Sequence, residues 1–271
     1  MCPRTLFAAA PVLALLLSTG AAAQDSSSDW LRRCREDRNW GPHGSERHCA
    51  LRESRLTARP RLSVDGGDNG GVTVTGWNEG GILVRARVQA NARSREEARE
   101  IAQQVRVTTE GGEVRATGPE RREGRSWSVS YEVFVPRRTG LDLETTNGGI
   151  GVERVSGEMR LQARNGPVSL RGVGGNVHAR TANGPLRVVL EGDRWAGQGL
   201  DAETRNGPVT LEVPDGYSAS LETGTVNGPM NFDIPVRVQG RITRRIQTEL
   251  GRGGAPIRVV TTNGPVTVRG T

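Results

Sequence analysis

Four carboxylates and three arginines could carry acid–base chemistry on sugars: Asp142, Glu144, Asp201 and Glu203, with Arg164, Arg180 and Arg205 near them. Polysaccharide lyases and hydrolases built on parallel β-helices use such groups in a groove along one sheet. The reaction needs two of them facing one cleft at a defined separation. Each carboxylate pair is spaced i, i+2, so in a strand both members point to the same face, opposite to their apolar neighbours. Solvated strand faces are the competing reading, and the pattern favours it. The three histidines, His43, His48 and His178, sit near no serine motif, and there is no nucleophile-elbow sequence. Gly172 to Gly175 follow a strand but open no helix, so they read as corner glycines and not as a dinucleotide fingerprint. All 37 basic residues are arginine, which removes Schiff-base and P-loop lysine chemistry. No catalytic residue is assigned on this basis, and nothing calls for a metal or a cofactor.

The remaining reactive residues are cysteines, and their reading depends on location. Residues 1–23 have Arg4, an apolar run from Leu6 to Leu17, and Ala21 and Ala23 as a small-x-small pattern. That is a secretory signal peptide with cleavage after Ala23, too short for a membrane span. No later stretch is apolar and long enough to cross a bilayer, so the mature chain reads as exported: periplasmic, surface-bound or secreted. Cleavage leaves Cys34 and Cys49, and an oxidising compartment favours pairing them. The loop they would close is worth roughly 3 kcal/mol on the chain-entropy model. Free thiols, or a metal site from Cys34, His43, His48 and Cys49, are the alternatives. Adjacent His48 and Cys49 suit one ion poorly.

Composition narrows the elements that could position these groups. The chain has 271 residues, 37 glycines, a formal charge of +7 and 34% apolar residues, which excludes a membrane bundle or coiled coil. Much of the glycine is periodic. Asn-Gly recurs at Asn147-Gly148, Asn165-Gly166, Asn183-Gly184, Asn206-Gly207, Asn227-Gly228 and Asn263-Gly264, at intervals of 18, 18, 23, 21 and 36 residues. The last interval reads as two periods, and 23 and 21 as one period with insertions. Fixed-period self-similarity indicates stacked repeats. Small or apolar residues precede each asparagine, as in Leu143-x-Thr145 and Ala202-x-Thr204. Alternating aliphatics follow, as in Val168-x-Leu170 and Val209-x-Leu211.

Two architectures use such units. Proline after five of the corners (Pro167, Pro185, Pro208, Pro229, Pro265) argues against two-residue hairpins, because it removes a donor at the first paired position. The pattern therefore favours an all-β, parallel β-solenoid of ~18-residue coils stacked at about 4.8 Å. Inward-facing asparagines would then hydrogen-bond up the stack, and the glycines would permit a left-handed corner.

Four segments follow: a leader at 1–23, an Arg-rich cysteine segment at 24–60, a capping β region at 61–140 and the solenoid at 141–271. Within the third, Val72–Val74, Ile82–Val88 and Trp127–Val135 alternate as strands. Ser94 to Val105 predicts one helix, with Ser94 and Glu97 as a capping box and Ala98, Ile101, Ala102 and Val105 on its apolar face. The exported start, paired cysteines, Trp77 after a strand, the helix, and Val133 to Pro136 leading into the Asn-Gly motifs resemble the bacterial putative adhesins of the DUF4097 type, over residues 60–271. The resemblance implies an exported all-β solenoid and carries over no catalytic residues.

The expected function is a non-enzymatic adhesin-like binding or structural module of the bacterial envelope, with a β-helix carbohydrate-active enzyme as the alternative. The basic balance suits an envelope polysaccharide or another anionic surface polymer, and export disfavours nucleic acid. Trp195 and Tyr217 fall in the two insertions, where they either pack over the side of the solenoid or, as exposed loop aromatics, could stack on sugars. The last strand, ending at Thr271, reads as an open solenoid end able to pair with a second chain.

Overall fold

The structure is a computed structural model and describes residues 30–32, 34, 36, 45–234 and 244–271. The proposed leader over 1–23, its cleavage after Ala23, and His43 lie outside the described residues. The period of eighteen becomes a strand, an Asn-Gly corner and a second strand, repeated seven times. The pairs are β2 (Arg61–Asp65) with β3 (Val72–Trp77), β8 (Gly140–Thr145) with β9 (Ile150–Glu153), and β10 (Ser156–Asn165) with β11 (Val168–Arg171). There follow β12 (Gly174–Asn183) with β13 (Leu186–Val189), β14 (Gly199–Asn206) with β15 (Val209–Val213), β16 (Ala219–Asn227) with β17 (Met230–Phe232), and β19 (Pro256–Asn263) with β20 (Val266–Gly270). First strands stack on first strands and second on second, all in parallel, and with the capping and return strands they make two ten-stranded sheets. The protein is a two-sheeted parallel β-solenoid.

Exact register makes the core. Each rung places like against like: Leu143, Leu161, Ala179, Ala202 and Val259 lie in one line on the first sheet. Ile150, Val168, Leu186, Val209 and Val266 lie in line on the second. All are buried, so period-2 alternation in sequence becomes a thin aliphatic interior shared by both sheets. Threonine recurs next to the corner for a hydrogen-bonding reason. Thr145, Thr181, Thr204, Thr261 and Thr225 each donate Oγ1 to the glycine carbonyl of the neighbouring corner, at 2.6–2.9 Å.

Stacking order departs from chain order. The 36-residue interval is not two successive coils. After β17 the chain returns through β18 (Arg245–Leu250), antiparallel to β16. It then inserts β19 between β14 and β16, and β20 between β15 and β17. The strand before Thr271 is thus hydrogen-bonded on both sides, and the expected open end there is corrected. At that end of the stack the sheet edges are β17 and β18.

The other end is capped by the excursion between β3 and β8. Here β4 (Gly81–Ala92) and β7 (Ser126–Pro136) extend one sheet, and β5 (Arg106–Thr108) and β6 (Glu113–Thr117) extend the other. Helix α1 (Arg95–Gln104) begins at Ser94, whose side chain accepts from the Glu97 N–H at 3.2 Å. Its buried Ala98, Ile101 and Ala102 complete the cap core, with Val105 at its C-terminal end. β1 (Glu46–Thr57), within the stretch set apart as 24–60, is the outermost strand beside β4. Cys34 and Cys49 form a disulfide that ties residue 34 to this strand.

Candidate functional site

The corners form one continuous line. Asn147 donates Nδ2 to Asn69 Oδ1 at 3.1 Å, Asn165 to Asn147, Asn183 to Asn165 and Asn206 to Asn183, each at 2.8 Å. Asn263 then donates to Asn206 and Asn227 to Asn263, both at 2.7 Å. All seven asparagines are exposed, so the inward placement expected from strand parity is corrected. The corner turns the side chain out of the core while keeping it in register with its neighbours.

The corner glycines also have a different cause from the one expected. Gly148, Gly166, Gly184, Gly207 and Gly228 do not have positive φ; only Gly264, at 152°, does. What they lack is room. A Cβ on Gly166 would lie 2.5 Å from the Gly148 carbonyl carbon, and one on Gly184 equally close to the Gly166 carbonyl carbon. Each corner stacks backbone on backbone, and a side chain there has nowhere to go. Asn69-Gly70 belongs to this line and was missed, although Asn69-Gly-Gly-Val72-x-Val74 repeats the pattern of Asn147-Gly-Gly-Ile150-x-Val152.

Of the two placements open to the insertion aromatics, the packed one is found. Trp195 is 5% exposed and Tyr217 3% exposed, both within the core. Trp195 donates its indole N–H to the Gly175 carbonyl at 3.0 Å. Burial, aided by the charge of Asp193, pushes the Tyr217 phenol up to about 12. The insertions fold back against the solenoid because an indole or phenol ring gains more from burial over apolar rungs than from solvent. These rings offer no platform to a sugar.

The outer face of the first sheet holds the acid–base candidates. An open groove of about 780 Å3 brings together Asp142, Glu158 and Glu203 with Arg160, Arg180, Arg205 and His178. Asp201 lies beside it, 3.4 Å from Arg180 and 3.9 Å from His178 Nδ1. Arg164 and Glu144 face the adjoining depression. Asp142 and Glu203 stand on strands three steps apart, about 14 Å at sheet spacing, beyond the separations used by glycosidases. Asp201 and Glu203 are close enough, but both are engaged by Arg258, at 2.6 and 3.4 Å.

Arg258 comes from the inserted coil and also reaches Glu222 at 3.5 Å. Burial works against its charge, yet the hydrogen bond to Asp201 and the three carboxylates outweigh it and hold its pKa above the usual arginine value. Sequence spacing gave no signal for this residue, because its partners are 36 to 57 positions away. Arg164 and Arg205 have no ion pair or hydrogen-bond partner among the described residues, and they flank Ala182 on the same rung line. Among the described residues no cluster of His, Cys, Asp and Glu is arranged to hold a metal. No described helix is long and apolar enough to cross a membrane.

The outer face of the second sheet carries a tight ionic group around Glu212. Glu212, with its side chain 9% exposed, accepts from Arg187 Nη2 at 2.7 Å and from Arg269 Nη2 at 2.8 Å. The Arg269 hydrogen bond, against the opposing effect of burial and with further help from Arg187, holds its carboxyl below the usual carboxylate range. A depressed folded pKa contributes stability above the unfolded value, about 4.3, and loses it as pH falls toward the folded one. The stability gap between wild type and Glu212→Gln should therefore be widest near neutral pH and close on acidification. Urea midpoints across that range test this, and a pH-independent gap would contradict it.

Fold and face together define a capped, two-sheeted parallel β-solenoid with an asparagine ladder along one corner. The family model described as Toastrack DUF4097 matches residues 102–269. The chain belongs to the DUF4097 family. Nine solved chains match it. One is a putative cell adhesion protein from Clostridium sporogenes, with TM-score 0.46 and 10% identity, covering 82% of this chain and 100% of that one. Another is a putative adhesin from Bacteroides fragilis, with TM-score 0.38 and 11% identity, covering 82% and 97%. A third is a putative lipid binding protein from Parabacteroides distasonis, with TM-score 0.33 and 7% identity, covering 85% and 98%. No curated protein matches significantly.

Proposed function

We propose that the protein is an exported, non-enzymatic binding or structural module of the bacterial envelope, and that the outer face of its first sheet engages an anionic envelope polymer. The observation that carries this is that Arg164 and Arg205 are unpaired among the described residues, on a face whose nearby Asp201 and Glu203 are tied to Arg258. Two cations held two strands apart, about 10 Å at sheet spacing, suit successive anionic groups of a polysaccharide or lipopolysaccharide. Immobilised acidic polysaccharide should retain wild type, with retention weakening as salt rises. An Arg164→Ser/Arg205→Ser variant of unchanged stability should bind less. Equal binding by that variant would remove the face from the proposal.

A second reading, a carbohydrate-active enzyme, has its own observation: one groove does gather three carboxylates and four arginines. Release of reducing ends or unsaturated products from the same polysaccharides by wild type, abolished in Glu203→Gln, would establish it and displace the first.

A further inference from the structure

Asparagine followed by glycine is the dipeptide most prone to spontaneous deamidation, because glycine leaves its own nitrogen sterically free to attack. This chain holds seven such dipeptides, all on the ladder. Attack requires the glycine nitrogen to leave its hydrogen bond and the asparagine amide to turn toward it. Within the stack both groups are held. Gly166, Gly184, Gly207 and Gly264 each donate their N–H to the asparagine carbonyl of the next coil, at 2.9–3.0 Å. Asn147, Asn165, Asn183, Asn206 and Asn263 each use both Nδ2 and Oδ1 in the ladder.

Asn227 differs in each respect. Insertion of β19 and β20 makes its coil the last in the stack, although Asn263 comes later in sequence. Its Nδ2 donates to Asn263, but among the described residues its Oδ1 has no donor and the Gly228 N–H no acceptor. Gly228 is exposed where the inner corner glycines are half-buried, and the preceding Val226 is 41% exposed.

We infer that Asn227 is a site of spontaneous deamidation at the exposed end of the solenoid, and that the inner rungs protect Asn165, Asn183, Asn206 and Asn263. The Gly228 nitrogen forms a bond to Asn227 Cγ and gives up its proton, the Cγ–Nδ2 bond breaks, and ammonia leaves. Water then opens the succinimide at either carbonyl, leaving aspartate or isoaspartate. Either product replaces the Nδ2 donor that now faces Asn263 Oδ1 with an acceptor and a negative charge. The modification therefore removes the last rung and loosens β16 and β17 from the inserted coil.

The test uses the intact wild-type chain, incubated folded in mildly alkaline buffer and mapped by peptide mass spectrometry over time. Asn227 should deamidate on the order of tenfold faster than Asn165, Asn183, Asn206 or Asn263, since two hydrogen bonds present in the stack are missing there. In concentrated urea the Asn-Gly-Pro sites should converge on one rate, which would assign the difference to the fold. Equal rates in the folded chain, or Asn263 reacting first, would overturn the inference. A second readout is Asn227→Asp, which should raise backbone hydrogen exchange in β16 and β17 and leave β10 to β13 unchanged. Unchanged exchange in all these strands would remove the loosening.

Discussion

Gly184→Ala should destabilise the protein by about 3 kcal/mol or more, the range of a steric clash that the surroundings cannot absorb. The new Cβ would sit 2.5 Å from the Gly166 carbonyl carbon and 3.1 Å from the Pro167 nitrogen, all of it backbone. No rotamer change relieves this, because the two corners are joined by the Gly166–Asn183 backbone hydrogen bond. Relief needs these two coils to separate, which would strain the Asn183–Asn165 rung and the Thr181–Gly166 bond. Gly151→Ala is the control. Its Cβ would meet Thr73 at 3.7 Å, an ordinary contact, without positive φ, so an effect between neutral and about 1 kcal/mol stabilising is expected. Urea midpoints of both variants decide the matter. Similar losses at the two sites would mean that glycine is needed at corners for some reason other than close approach.

Trp195→Ala should cost about 3–5 kcal/mol, as for other buried tryptophans. The ring is packed into the core, and its N–H satisfies the Gly175 carbonyl. Trp195→Phe keeps most of the packing and loses the hydrogen bond, so a smaller loss of about 1–3 kcal/mol is expected. Thermal or urea unfolding separates the two contributions. A Trp195→Ala variant as stable as wild type would mean the insertion does not hold its place on the solenoid. Of the two placements open to an aromatic in an insertion, exposed to a sugar or packed on the solenoid, this side chain takes the second. Its actual contribution is to stability.

The contrast shows what the chain makes legible. Repeat period, parallel stacking and the helix could be read because each leaves a pattern within a few residues: Asn-Gly spacing, misplaced proline, and the Ser94–Glu97 cap. The direction in which an insertion folds leaves none, since Trp195 and Tyr217 look alike exposed or buried. Stacking order is hidden for a deeper reason. Every rung carries the same pattern of aliphatics, threonine, asparagine and glycine, so any coil could sit on any other with similar contacts. Only the antiparallel β18 directs the chain back to place β19 and β20 inside the stack. Arg258, which gathers Asp201, Glu203 and Glu222, was therefore beyond reach from spacing. Asn69 was within reach, but 78 residues separate it from the next corner.

The inserted coil also decides how the protein would answer to pulling. Tension entering at Thr271 would first meet β20, which is held along one flank by β15 and along the other by β17. A strand on the rim of a sheet can be unzipped one bond after another, whereas a strand between two neighbours must shear both rows together. The rate of forced opening follows the height of that barrier and not the equilibrium stability. A solenoid whose terminal coil were outermost would peel from that end under a small load. Here the polypeptide is locked one layer in, a mechanical clasp made from the same corners and rungs as the rest.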